Sequence, residues 1–120
     1  MKCFLVFVFV FFTASLAVEQ ETLILVDGND LLPRCQAAIA SSERSAFKDV
    51  HESFSAGFCT GLVDGIIYSS SSVCPPDGVT ALQSVRVVVK FLNDNPDKLN
   101  LDQRVLVDAA LTKAFPCKHK

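Results

Sequence analysis

The sequence predicts an all-α protein: a small four-helix bundle of two antiparallel helical hairpins carrying two disulfides. Three observations lead there. Apolar residues recur at helical spacing in four separate stretches, capping and stop signals punctuate those stretches, and four cysteines remain once an N-terminal leader is set aside.

The leader is "MKCFLVFVFVFFTASLAVEQ". Lys2 supplies a positive start, residues 3–12 are an unbroken apolar run, and Ser15 and Ala17 are the small residues a signal peptidase needs. This predicts a secretory signal peptide over residues 1–17, cut after Ala17. The run is too short for a bilayer core, which needs ~20 residues, and no later run is long enough to span a membrane. Removing the leader takes away Lys2, leaving ten Lys and Arg against thirteen Asp and Glu, a net charge of −3. Such a chain has no basic face for nucleic acid. At 103 residues its core is marginal and covalent staples are expected.

Cys35, Cys59, Cys74 and Cys117 are those staples. They lie 24, 15 and 43 residues apart, unlike the close pairs of a zinc site, and His51 and His119 stand alone. No metal or other cofactor is implied. An even cysteine set in an oxidising compartment leaves no thiolate for a Cys–His nucleophile pair.

Residues 18–28 form an N-terminal arm, "ETLILVDG" at its end, followed by a helical domain over 29–117 and a tail at 118–120. The first helix is read from "GNDLLPRCQAAIASS", with Asp30 as cap and Pro33 in the first turn. Leu31, Cys35, Ala38, Ile39 and Ser42 share one face. The second is "AFKDVHESFSAGFCTGLVDGIIYSS", with Phe47, Val50, Phe54, Phe58 and Leu62 at helical spacing. Gly57, Gly61 and Gly65 repeat every four residues within it, each costing a helix roughly 1 kcal/mol relative to alanine. They make a smooth strip suited either to a close-packed helix of the same chain or to the seam of a homodimer.

The loop "SSSSVCPPDG" turns the chain. "TALQ" then caps a third helix through Thr80 and Gln83, and Leu82, Val85, Val88, Val89 and Leu92 form its stripe. "VRVVVKFL" is rich in β-branched residues, but the cap, the length and the Asn95-Pro96 stop favour a helix over a strand. The fourth helix is "NLDQRVLVDAALTKAF", with Asn100 and Gln103 read as its cap and capping partner. Leu106, Val107, Ala110, Leu111, Ala114 and Phe115 form a broad buried face, and Pro116 ends it.

Cys74 and Cys117 lie at equal path lengths on either side of the Asn95-Pro96 turn, and Cys35 and Cys59 flank the turn between the first two helices. Hairpin geometry therefore pairs Cys35 with Cys59 and Cys74 with Cys117. The less symmetric alternative joins Cys59 to Cys74 and Cys35 to Cys117.

No G-x-S-x-G elbow, H-E-x-x-H, P-loop or G-x-G-x-x-G occurs. Asp64 reads as a solvated or capping residue, and Asp94 with Asp97 as a polar turn rather than an acid–base pair. No catalytic residue is predicted. Architecture alone would equally suit a small disulfide-stapled chaperone or stress protein of the periplasm, or a subunit of an envelope complex.

One resemblance goes further. "CPPDGVTALQSVRVVVKFLNDNPDKLNLDQRVLVDAALTKAFPC", together with "NDLLPRCQAA" and "FSAGFCTGLVDGI", resembles the Rap/Tai family of bacterial periplasmic immunity proteins, which act against amidase effectors of the type VI secretion system. The likeness covers residues 29–117. It implies an all-helical homodimer without catalysis. Its partner would be a cognate peptidoglycan amidase, whose cleft it would occlude in the periplasm. The element suited to that contact is the turn "NDNPDKLN", in which Asn93, Asp94, Asn95, Pro96, Asp97 and Lys98 are the candidate partner-binding residues.

Overall fold

Helix α1 spans Gly28–Arg44, α2 Val50–Ser69, α3 Ala81–Asp94 and α4 Gln103–Ala114, with a single 3-10 turn at Pro96–Lys98. The computed structural model describes residues 26–118. The predicted signal peptide, most of the predicted arm and His119 lie outside the described residues. Among those residues the protein is all-helical, and none of the helices is long and apolar enough to cross a membrane.

α1 and α2 form one antiparallel hairpin, α3 and α4 the other, and α1 also packs along α3. Leu31, Val63, Val85, Val88, Leu92, Leu106, Val107 and Leu111 fill the space between them at no more than 1% exposure. The stripes predicted for α3 and α4 supply most of this core.

The four starts have explicit caps. Asp27 Oδ1 accepts from the backbone N–H of Asn29 at 2.9 Å and of Asp30 at 3.2 Å. Asp49 Oδ1 accepts from Glu52 N–H at 2.7 Å, and Thr80 Oγ1 from Gln83 N–H at 3.1 Å. Asp102 Oδ1 accepts from Arg104 N–H at 2.8 Å. Thr80 is the cap the sequence predicts; α1 and α4 differ from expectation. Asp27 caps α1, so Asp30 falls in the first turn and Pro33 inside the helix, where its ring removes the hydrogen bond that Asn29 C=O would accept. Asp102, not Asn100, caps α4. The two acidic caps face each other in an isolated antiparallel bridge, which ties the start of α1 to the start of α4.

Gly28 sits at that junction. A Cβ there would lie 2.6 Å from Leu106 Cδ1 and 2.9 Å from the Leu99 carbonyl oxygen, so only glycine lets the three segments meet. Gly28 N–H donates to Leu101 C=O, and Asn29 N–H to Leu99 C=O, both at 3.2 Å.

Both predicted disulfides are present. Cys35 and Cys59 join the middles of α1 and α2 with a Cα–Cα distance of 5.1 Å, and Cys74 and Cys117 are 4.9 Å apart by the same measure. The second clamps the C-terminal segment against the loop before α3, where Cys74 N–H donates to Phe115 C=O at 2.8 Å.

α2 departs most from expectation. It begins at Val50, not Ala46, and its core side is Ser55, Ala56, Cys59 and Val63. The first part of the predicted apolar stripe faces outward, with Phe47 58% exposed, Val50 84% and Phe54 64%, whereas Phe58 and Leu62 are half-buried against the core. The cause lies in the disulfide. Backbones held 5.1 Å apart leave room for only small side chains between α1 and α2, and Ala38, Ser41, Ser55 and Ala56 occupy it.

Candidate functional site

The turn 93–100 is built to hold its shape and show its charges. α3 ends at Asp94, and Asn95 Nδ2 donates back to Phe91 C=O at 2.8 Å, satisfying a carbonyl of the last helical turn. Pro96 starts the 3-10 turn, which Lys98 N–H closes onto Asn95 C=O at 3.0 Å. Beyond it, Leu99 C=O accepts from both Asn29 N–H and Asn29 Nδ2, the latter at 3.1 Å. The turn is thus fastened to α3 at one end and to the start of α1 at the other.

The six predicted partner-binding residues divide into two sets. Asn95 is half-buried and serves the backbone, and Pro96 nucleates the turn. Asn93, Asp94, Asp97 and Lys98 are exposed. Asp94 Oδ2 lies 2.7 Å from Lys90 Nζ in a surface i,i+4 pair. Lys98 Nζ sits 6.0 Å above the Phe91 ring. Asp97 makes no salt bridge among the described residues, so it is the carboxylate most available to a partner.

Sequence reasoning missed the ground beside this turn. Val87, Phe91, Ala110 and Ala114 floor a shallow groove of about 270 Å³ between α3 and α4, rimmed by Lys90, Asp94 and Lys113. Ala110 and Ala114 belong to the predicted α4 face, but Val87 and Phe91 lie outside the predicted α3 stripe, and linear spacing does not show that the two helices part there.

Behind the turn, Asp102 pairs with Arg104 Nε at 3.0 Å. The Arg104 side-chain hydrogen bond, then its backbone N–H, hold the Asp102 carboxyl below its ordinary value, and the pairing raises Arg104 in return. In the other hairpin Glu52 is lowered likewise, first by the Arg44 guanidinium and then by the Lys48 N–H. Both pairs are helix-start fastenings rather than reactive groups. Among the described residues no cluster of three His, Cys, Asp or Glu could hold a metal ion.

The second predicted surface, Gly57, Gly61 and Gly65, is exposed. A Cβ at any of the three would meet nothing within 4 Å. No helix among the described residues packs there, so close packing between these helices is not the reason for the glycines. Sequence reasoning also missed that Tyr68, 90% exposed, continues this face.

No curated protein and no solved structure matches the chain. The family model for Rap1a immunity proteins matches residues 27–117. That span opens at the capping Asp27 and closes at Cys117, so it takes in all four helices, the turn and both disulfides. By that match the chain belongs to the Rap1a immunity protein family, and is an immunity protein directed against a secreted effector.

Proposed function

We propose that the effector is a peptidoglycan amidase delivered by a type VI secretion system, and that this protein neutralises it in the periplasm by occluding its cleft, as a homodimer and without catalysis. Family membership supports the immunity role. The finer reading follows the resemblance of the sequence to Rap/Tai proteins and the signal-like leader.

The observation that carries the binding surface is the turn at 93–100. It combines exposed Asn93, Asp94, Asp97 and Lys98 with backbone fastening at both ends. A protruding element already ordered in the free protein loses little conformational entropy on docking. The neighbouring groove offers an apolar seat beside the charges.

The test is the triple variant Asp94→Ala, Asp97→Ala and Lys98→Ala, with Asn95 and Pro96 left in place. Its side chains are solvated, so stability should change by less than about 1 kcal/mol. Affinity for the amidase encoded beside it should fall tenfold or more, about 1.4 kcal/mol by calorimetry. Unchanged affinity would move the contact elsewhere, with the loop "SSSSVCPPDG" next. Absence of binding by the parent protein to any neighbouring amidase would count against the target itself.

A further inference from the structure

Arg34 is a cation without a counter-charge. It stands on α1 one turn after Asp30, the spacing at which an acid and a base on one helix pair. These two do not pair. The guanidinium lies over the Phe58 ring, 4.5 Å from its centroid, and 6.0 Å from that of Phe54. No carboxylate among the described residues is within ion-pair distance of it. Half-buried Arg34 is thus held by the rings and not by charge, and its planar fork keeps N–H donors on the sides turned away from them.

The same residue lines a cleft of about 500 Å³ between α1 and α2. The α2 carboxylates of that cleft already have tasks. Asp49 Oδ1 accepts from Glu52 N–H at 2.7 Å, and Glu52 pairs with Arg44 and takes the Lys48 N–H. The Lys48 ammonium, also in the lining, has no ion-pair partner among the described residues. Two unpaired cations therefore line the cleft against one acid with neither a cap nor an ion pair to make, the exposed Asp30.

The cleft adjoins the turn 93–100. Its Asp30 end follows directly on Asn29, whose backbone N–H and Nδ2 both donate to Leu99 C=O. Arg34 comes five residues after Asn29 on α1, a rise of about 7.5 Å. A standard interface covers ~800 Å² on each partner, a patch roughly 30 Å across. A partner seated on the turn is wide enough to take in Arg34.

We propose that Arg34 is a second contact for the effector, and that the cleft takes a carboxylate side chain of that protein with the Phe54 ring as an apolar wall beside it. The inference deepens the proposed binding surface and rests on the immunity role, but it requires neither that the effector be an amidase nor that the turn enter its cleft. The rings order the guanidinium before the partner arrives, so little rotamer entropy is lost on pairing. An aspartate or glutamate can then accept two parallel N–H bonds.

Calorimetry with the amidase encoded beside this protein reads the contact. Arg34→Met keeps an apolar stem over the rings and removes the charge, and affinity should fall tenfold or more. Arg34→Lys should recover only part of the loss, because an ammonium lacks the fork. Both variants should keep the parent's melting curve by circular dichroism and its oligomeric state by sedimentation. Among single Asp→Lys and Glu→Lys variants of the amidase, one should restore at least tenfold of the affinity lost by Arg34→Glu. Unchanged affinity of Arg34→Met would overturn the inference and leave the immunity role standing. An altered oligomeric state with unaltered affinity would overturn it too, and assign the guanidinium to a second copy of this chain. A second probe serves if the parent binds no neighbouring amidase, a result that would remove the target alone. Acetyl-Phe-Glu-amide, titrated to tens of millimolar, should shift the Arg34 Nε–H resonance more than acetyl-Phe-Gln-amide does. That difference would support the cleft, and equal shifts would overturn it.

Discussion

In the first hairpin the disulfide joins mid-helix to mid-helix, Cys35 and Cys59 are wholly buried, and the outward side of α2 is aromatic and bare. In the second, Cys74 is exposed, the disulfide lies outside both helices, and the tip of the hairpin carries polar charge. One bond is a core residue in its own right; the other is a clasp on the open end. The difference separates two tasks. A close-drawn pair of helices displaces its bulky side chains outward, where they can meet a like surface. A loosely drawn pair keeps its large residues inside and leaves its tip to polar groups.

The largest expected effect breaks the two bonds separately. By loop-closure entropy each contributes about 3–4 kcal/mol. Replacing Cys35 and Cys59 with Ala also leaves a cavity among fully buried neighbours, and should cost about 5 kcal/mol in all. That approaches the whole stability of many small domains. The Cys74→Ala and Cys117→Ala variant should lose less in urea titrations. Mild reductant under native conditions should open Cys74–Cys117 first and leave Cys35–Cys59 closed, as thiol labelling would report. An equal rate at both sites would erase the distinction.

A smaller effect comes from glycine in the two regions. Gly28→Ala places a methyl against Leu106 and Leu99, an overpacking expected to cost about 1–3 kcal/mol. Gly61→Ala meets open space, and measured at dilution should stabilise the helix by up to about 1 kcal/mol. Opposite signs in thermal melts would sharpen the contrast; a loss at Gly61 in the monomer would break it.

The smallest effect is in acid. Glu52 fastens the first hairpin and Asp102 the second, each held below its ordinary value by an arginine. Their contribution is complete above the unfolded values near 4.5 and 3.8 and is lost as pH falls through the lower folded ones. Glu52→Gln and Asp102→Asn should each flatten the acid limb of stability against pH without altering its neutral plateau beyond the loss of the pair. The arginine of each pair is exposed and screened by solvent, so each change should be slight.

Much of this fold was legible in the amino-acid order. The stripes of α3 and α4, Thr80 as a cap and the pairing of cysteines about hairpin midpoints all follow from local period and path length. The starts of α1 and α4 were not, because Asp27 and Asp102 are set by a bridge between residues far apart in the chain. The outer side of α2 was misread for a related reason. Phe47, Val50 and Phe54 keep helical period, but period cannot tell which side faces inward when a disulfide leaves the inner side room only for small residues. At the candidate site the turn was visible from Asn95-Pro96, whereas the groove beside it depends on how far α3 and α4 diverge.

The Cys74–Cys117 bond closes a covalent ring around the whole of α3, the turn and α4. A peptide-bond cut anywhere in residues 93–100 would therefore make a nick and not a loss. The two fragments would stay joined by sulfur and by the buried faces of both helices. A protein whose exposed tip meets hydrolytic enzymes could be clipped there and still present both severed ends in register. On a gel such a molecule would run intact until a reducing agent separated it.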